Sequence, residues 1–214
     1  MNRKNIYIHI PKNAGTFVKS FINDSQSDIN SIEGCNTIRL NDSNGDCSKV
    51  HKTYIELNDE INIENIDKYK NNFYNYFTII RNPYKRFESI YEYDKDFLKK
   101  FLDTNYSNFD EFLDYLFKNP KKIYSHKHLY PQIDFIKNNN NFEVDILLFE
   151  DIPYNLRNYC HYKKMNYHIH KFNDIINEGI KRNNNYWNDD NIMKFNKLYW
   201  EDIKFYNKFN KLLI

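Results

Sequence analysis

Short apolar runs stand out against a largely polar chain, and each has the composition of a buried β-strand. Ile6–Ile10, Tyr76–Ile80 and Val144–Phe149 are rich in β-branched and aromatic residues, as buried strands commonly are. Pro11 ends the first run, because a proline gives a sheet no N–H group. The polar region that begins after the first helix is expected to hold one more short strand, around Thr37–Leu40.

Apolar residues at helical spacing occupy much of the chain between these runs. From Thr16 the chain is expected to be helical, since Phe17, Phe21 and Ile22 share one face. Residues 58–70 carry acids early and lysines late, the charge order that suits a helix dipole. The other predicted helices cover Tyr84–Leu102, Asn108–Phe117, Leu129–Lys137 and Asp189–Asn210. Strands that alternate with helices predict an α/β fold.

Length and composition narrow this fold class further. The chain of 214 residues is large enough for one domain over residues 1–214, with three layers and a largely parallel central sheet. A net charge of +2 and a pI near 8.2 are too mild to argue for nucleic-acid binding. No apolar run approaches the length of a membrane span, and the first strand begins at once. We therefore expect a cytoplasmic protein without a signal peptide or membrane span.

Cysteine and histidine spacing does not indicate a metal site. The three cysteines, Cys35, Cys47 and Cys160, form no CxxC pair. A Cys35–Cys47 bridge is compatible with the sequence, and reduced thiols are what a cytosolic protein usually has. The close pairs that match no recurring zinc spacing are His126 with His128, Cys160 with His161, and His168 with His170. We expect no metal ion.

The segment from Ile6 to Phe21, IYIHIPKNAGTFVKSF, joins the first strand to the first helix through a short loop. Within it Gly15 is expected to adopt a backbone conformation that other residues disfavour. A loop with a lysine and a glycine between a strand and a helix is typical of phosphate binding, because free amides and the helix dipole favour an anion. The lysine precedes the single glycine, so this is not a Walker A loop. An ordinary turn between strand and helix is the alternative interpretation.

Two motifs together resemble the cofactor-binding motifs of the sulfotransferases. IHIPKNAGT ends the first predicted strand, and IIRNPYKRFESIY spans the end of the second. The likeness is to the branch that includes heparan and chondroitin sulfotransferases and their bacterial and viral relatives, which commonly shows H-I-P-K-x-x-G-T and R-N/D-P-x-x-R-x-x-S. An LLFED strand end also fits, and the resemblance covers Ile6 to Glu150, with a fainter echo in the C-terminal helix.

The resemblance implies that 3′-phosphoadenosine 5′-phosphosulfate, PAPS, is the sulfuryl donor and that the first loop is P-loop-like. The residues it assigns to the 5′-phosphosulfate are Lys12, Asn13, Ala14, Gly15 and Thr16, with Lys12 near the bridging oxygen. Arg81 and Ser89 would hold the 3′-phosphate. A planar guanidinium suits phosphate oxygens, and Ser89 can add a hydroxyl donor. A surface arginine and a helix-face serine are the structural alternatives.

The resemblance also assigns a base. His51, in KVHKTYIEL, matches a histidine that this branch places between the two motifs. With a reference pKa of about 6.5, a histidine is mostly neutral yet basic at working pH. A packing or solvent-exposed histidine is the alternative, since seven are present. His9 is expected to be structural, while Lys52 and Thr53 would assist the base or line the acceptor site.

Two further segments have weaker assignments. Gln132, in HLYPQIDFI, falls where relatives often carry a glutamine, and the resemblance suggests a place near the acceptor. Lys181 and Arg182 either reach the nucleotide or form a solvated charge pair.

The sequence therefore predicts metal-independent transfer of a sulfuryl group from PAPS to a hydroxyl, with a carbohydrate as the expected acceptor. Two alternatives remain open. A P-loop-like kinase would need Mg²⁺, and the missing Walker sequence argues against it. A catalytically inactive relative would bind nucleotide or glycan only. Against this second alternative stand the potential site residues Lys12, His51, Arg81 and Ser89.

Overall fold

The computed structural model describes residues 4–22, 51–57, 59, 74–137, 144–173 and 185–211. These residues group into two compact units. The first unit falls within Met1–Ile80 and Asp134–Asn177, and the second within Arg81–Ile133 and Glu178–Ile214. That the chain forms one domain stays a prediction.

The regular elements alternate along the chain much as the apolar pattern predicts. The strands are β1 (Lys4–Ile8), β2 (Tyr74–Ile80) and β3 (Val144–Leu148). The α-helices within the described residues that have defined bounds are α1 (Gly15–Ile22), α2 (Pro83–Leu102), α3 (Phe109–Lys118), α4 (Tyr154–Tyr162), α5 (Asp189–Leu198) and α6 (Trp200–Asn210). Short 3₁₀ turns cover Pro120–Ser125, Gln132–Phe135, Phe149–Asp151 and Ile169–Asn173.

The first unit is built on a parallel sheet. Its described strands lie in the order β1-β2-β3, with Tyr7 opposite Phe77 and Ile79 opposite Leu147. The three predicted strands and their parallel arrangement are confirmed, although β1 begins and ends earlier than predicted. Because the strands are parallel, the loops that leave β1 and β2 start from the same edge of the sheet.

Helices α1 and α4 cover one face of this sheet. The buried residues they share with the strands are Tyr7, Phe17, Val18, Phe21, Ile22, Phe77, Ile79, Leu156, Tyr159 and Cys160. Neighbouring side chains on a strand point to opposite faces, so Tyr76 lies on the other side. There its ring packs against Tyr54, with centroids 4.7 Å apart. Both faces of β2 are therefore buried, which explains why apolar residues occur on both faces of this strand.

The second unit has an aromatic core around Phe87 of α2. Its ring centroid lies 5.5 Å from that of Phe112 and 5.2 Å from that of Phe195. Helix α2 begins at Pro83, one residue before the predicted start at Tyr84, and the Asn82 side chain caps the helix by accepting from the backbone N–H groups of its first turn. Aromatic rings bury large apolar areas, so this cluster fixes the packing of the helices.

Two helix predictions are wrong, the first for a tertiary reason and the second for a local one. The single helix expected over Asp189–Asn210 is divided at Tyr199, where ψ is 28°. The buried Tyr199 hydroxyl donates to the carbonyl oxygen of Leu129 at 2.7 Å, a contact that overrides the helical pattern. Over Leu129–Lys137 the chain forms only the 3₁₀ turn Gln132–Phe135, because the residue before a proline, here Pro131, disfavours helix.

One helix was not predicted, and some predictions fall where the structure is not described. Helix α4 has a narrow apolar side, of which Leu156 and Cys160 are fully buried.

The predictions outside the described residues concern the strand around Thr37–Leu40, most of the helix over 58–70, Cys35 with Cys47, and Lys181 with Arg182. In the described part of the chain, every helix is too short or too polar to cross a membrane.

Candidate active site

The loop after β1 alternates the sign of its backbone φ angle. Lys12 has φ 67° and Ala14 has φ 62°, whereas Pro11 and Asn13 have no positive φ. A left-handed conformation costs roughly 1–2 kcal/mol in a residue with a Cβ atom, so surrounding contacts must stabilise this loop. Backbone of alternating sign is the pattern that turns successive N–H groups toward a shared concavity.

Asn13 supplies those contacts. Its side chain is 0% exposed, and Nδ2 donates to the carbonyl oxygen of Ile79 at 2.8 Å. Its own carbonyl accepts from the Tyr7 hydroxyl at 3.2 Å, and its N–H donates to the Ile10 carbonyl at 3.3 Å. The loop is thereby tied to both β1 and β2. Asn13 thus acts on the shape of the loop, since its side chain is buried.

Gly15 is needed for close packing, and the expectation of a special backbone conformation there is wrong. Its φ does not fall in the left-handed region, which Lys12 and Ala14 occupy instead. A Cβ atom on Gly15 would lie 1.8 Å from Nε2 and 2.5 Å from Cε1 of His9. Because Gly15 has no side chain, the His9 ring can lie against the start of α1. Thr16, the next residue of that helix, is exposed.

His51 is buried, and one hydrogen bond fixes its tautomer. The residue is 7% exposed, and Nδ1 lies 3.1 Å from the carbonyl oxygen of His9. A carbonyl can only accept, so Nδ1 carries the proton and Nε2 is the basic nitrogen of the neutral ring. The ring centroids of His51 and His9 are 4.4 Å apart. Since the His9 ring also lies against Gly15, the structure brings His51 next to the first motif.

A reciprocal capping box directs the chain away from His51. The Thr53 N–H donates to Glu56 Oε2 at 2.7 Å, and the Glu56 N–H donates to Thr53 Oγ1 at 3.3 Å. The Leu57 N–H closes a helical turn on the Thr53 carbonyl at 3.0 Å. Thr53 therefore has a structural role here, and an acceptor-site role for Lys52 or Thr53 stays a prediction.

In the second unit, the backbone of Arg81 is paired with the Gln132 side chain. Gln132 Oε1 accepts from the Arg81 N–H at 2.9 Å, and Nε2 donates to the Arg81 carbonyl at 2.9 Å. The Gln132 and Ile133 N–H groups donate in turn to Asp202 Oδ2 at 2.7 Å and Oδ1 at 2.9 Å. The sequence motif included Arg81, but nothing local indicated its link to Gln132 or to Asp202.

Arg86, the second arginine of the motif, is a buried tether. Its Nη1 donates to the Tyr130 carbonyl at 3.0 Å and its Nη2 to the His128 carbonyl at 3.1 Å. Burial lowers the pKa of Arg86, the Asp202 carboxylate opposes this shift, and the Arg81 charge adds to it. Sequence reasoning gave Arg86 no role, although its place in the motif was a signal.

Ser89 lies one helical turn after Arg86 on α2 and is partly exposed. Residues three apart on a helix share a face. Ser89 is therefore placed within the second unit on the same helix that Arg81 and Asn82 precede. Its role toward a ligand stays a prediction.

The histidine pair at 126 and 128 has structural partners. His128 Nδ1 lies 2.5 Å from Asp94 Oδ2, and its ring centroid is 4.9 Å from that of His126. The His126 ring also packs against Phe97 and Phe101. Among the described residues, no three His, Cys, Asp or Glu side chains are grouped as metal ligands would be.

Comparison with known sequences identifies the family. A family model described as "Sulfotransferase family" matches residues 2–208, a span that contains both motifs and His51. No curated protein and no solved structure matches this chain. The family match extends over nearly the whole sequence, far beyond the two short motifs. This chain therefore belongs to the sulfotransferase family.

Proposed function

We propose that the protein transfers a sulfuryl group from PAPS to a hydroxyl group of a carbohydrate acceptor. Family membership supports sulfotransferase activity, the two motifs support PAPS as donor, and resemblance to the carbohydrate branch supports the acceptor class. The fixed tautomer of His51 beside the first motif carries the proposal, because a base with a defined basic nitrogen is what the reaction needs.

In this proposal the loop after β1 holds the 5′-phosphosulfate. Alternating φ signs at Lys12 and Ala14 support this assignment, because such backbone can cradle an anion. The α1 N-terminus, with Gly15 and Thr16, adds amides and a favourable dipole. The Lys12 ammonium would stabilise the negative charge that develops on the departing phosphate oxygen. Asn13 would contribute through the loop shape that its buried contacts maintain.

His51 acts as the general base in the proposed reaction. Nε2 takes the proton of the acceptor hydroxyl as that oxygen forms its bond to sulfur. The bond from sulfur to the bridging phosphate oxygen breaks, and its electron pair stays on the phosphate. The His9 carbonyl stabilises the imidazolium that results, since its hydrogen bond from Nδ1 persists when both nitrogens are protonated. A positioned base typically contributes about 10²–10⁴ in rate.

Arg81 and Ser89 bind the 3′-phosphate in this proposal. The Arg81 guanidinium offers two parallel donors to phosphate oxygens, and its backbone is held by Gln132. Arg81 and Arg86 both contribute positive charge, while the Asp202 carboxylate opposes it.

The nucleotide proposal is tested by thermal unfolding with adenosine 3′,5′-bisphosphate. Binding to the folded state alone stabilises it by about 2.7 kcal/mol at a ligand concentration of 100 Kd, so the melting temperature should rise. The rise should persist in EDTA. A flat titration to millimolar ligand would contradict the PAPS proposal, and a shift that requires Mg²⁺ would favour the kinase alternative.

Turnover is tested with radiolabelled PAPS against sugars, polysaccharides, phenols and peptides. Labelled product is expected with a carbohydrate. Product with a phenol or peptide alone would contradict the acceptor class but not the transfer. Bisphosphate binding with no product from any acceptor would favour the inactive relative.

A further inference from the structure

We propose that Gln132 is a positioning residue for Arg81 and that Asp202 holds Gln132 in place. The inference rests on the proposed function, because it takes Arg81 as the residue that binds the 3′-phosphate. In this inference the selectivity for that phosphate depends partly on two side chains that act through Arg81.

The Gln132 side-chain amide forms hydrogen bonds to both backbone polar groups of Arg81, the first residue after β2. The ladder between β2 and β3 ends with Ile80 opposite Leu148, and Arg81 is the next residue. Its N–H and carbonyl are both bonded to the Gln132 side chain, each at 2.9 Å. An amide offers a donor and an acceptor together, which neither a carboxylate nor an apolar side chain can do. Gln132 therefore fixes the direction in which the Arg81 side chain leaves the backbone.

Asp202 of α6 in turn holds the backbone at Gln132 through two hydrogen bonds. Both of its carboxylate oxygens accept backbone N–H groups, one from Gln132 and one from Ile133. Asp202 and Gln132 are each 2% exposed, so water does not compete for these bonds. The Asp202 charge is compensated by Arg86, whose pKa it raises against the effect of burial. A continuous set of hydrogen bonds thus links α6 to the backbone of Arg81.

This arrangement implies a selective effect on ligands. The Gln132 amide is bonded to Arg81, so its influence on a nucleotide passes through the Arg81 guanidinium. A misdirected guanidinium loses its bonds to a 3′-phosphate. AMP has no 3′-phosphate, so its affinity should not depend on Gln132.

Calorimetric titration of adenosine 3′,5′-bisphosphate and of AMP tests the inference. Gln132→Met keeps the side-chain length and removes the amide. This substitution should lower the affinity for the bisphosphate about tenfold, which is the equivalent of one hydrogen bond to a charged group. The affinity for AMP should fall by less than about twofold. In an Arg81→Ala background the same substitution should have no further effect on either ligand.

A matched control separates positioning from general destabilisation. Tyr106→Phe removes a hydrogen bond to the Lys95 carbonyl in the same unit, and neither partner belongs to the set of bonds that links Asp202, Gln132 and Arg81. It should lower the melting temperature yet leave the ratio of the two affinities unchanged. If Gln132→Met does not fold, Asp202→Asn is tested instead. This variant loses one of the two carboxylate oxygens that accept backbone N–H groups. The ratio of bisphosphate affinity to AMP affinity should again fall.

The outcomes distinguish this inference from the proposed function. A wild-type protein that binds both nucleotides equally would overturn the proposed function and this inference with it. A wild-type preference that survives in the Gln132 and Asp202 variants would overturn only the positioning role. Parallel losses for both ligands would also overturn it, because they indicate a structural effect.

Discussion

A methyl group added at Gly15 should destabilise the fold and disturb the surroundings of His51, the proposed base. In Gly15→Ala the new Cβ would lie 1.8 Å from His9 Nε2, whereas carbon and nitrogen atoms pack at about 3.5–4.0 Å. The His9 ring must therefore retreat by roughly 2 Å. That ring now packs 4.4 Å from the His51 ring and 5.8 Å from the Tyr7 ring, centroid to centroid. Moving it disturbs the surroundings of His51.

The expected cost follows from overpacking. Forcing a side chain out of a filled site typically costs about 1–3 kcal/mol, and the better helix propensity of alanine returns less than about 1 kcal/mol. Gly15→Ala should therefore lower the free energy of unfolding by roughly 1–2 kcal/mol. Because displacement of a catalytic group by about 1 Å can cost about 10² in rate, turnover should fall by a similar factor.

A double-mutant cycle with His9→Ala isolates the clash. Without the imidazole, Gly15→Ala should be nearly neutral, so urea unfolding should give a coupling energy of about 1–2 kcal/mol. Ala14→Gly is the matched control. Glycine removes the cost of the left-handed conformation at this position but increases the conformational entropy of the unfolded chain, so the free energy of unfolding should change by less than about 1 kcal/mol. Additive effects of Gly15→Ala and His9→Ala, or an unchanged urea midpoint in Gly15→Ala, would refute the reasoning.

Three other predictions concern His51, the second motif and Cys160. His51→Ala should reduce turnover by about 10²–10⁴ and leave bisphosphate affinity unchanged in calorimetry; near-normal turnover would assign the base elsewhere. Arg81→Ala should weaken the bisphosphate by roughly ten- to a hundredfold, and Ser89→Ala by less, while AMP affinity stays constant; equal losses for AMP would remove both residues from the phosphate site. Burial raises the pKa of the Cys160 thiol from 9.0 to about 12. The contribution of the neutral Cys160 thiol to folding stability is therefore fully present below pH 9 and lost as pH rises toward 12. Mass spectrometry should show little alkylation of Cys160 at pH 8 unless the protein unfolds.

The elements that the sequence predicts well are those whose signals are local. Each strand lies in a run dominated by apolar residues, and α2 begins where Asn82 and Pro83 supply a cap and a first-turn proline. Parallel order followed from the alternation of strands and helices. These features depend on neighbouring residues, so one chain is enough to recognise them.

The features that the sequence did not reveal depend on distant residues. Asp202 lies 70 positions from Gln132, and Gln132 lies 51 positions from Arg81. The break at Tyr199 depends on a hydroxyl bond to Leu129, 70 positions away. Resemblance could single out His51, but only its contact with the His9 carbonyl defines the tautomer.

His51 is held from two directions that differ in how they form during folding. On one side, the capping box needs only Thr53 and Glu56, which are three residues apart, and such a turn can form before the sheet exists. On the other, the bond to the His9 carbonyl joins residues 42 positions apart, so chain closure must first overcome loop entropy. Helical signal around Thr53 can therefore appear in a chain whose contact between His51 and His9 has not formed. Circular dichroism alone would thus not report whether that contact is present.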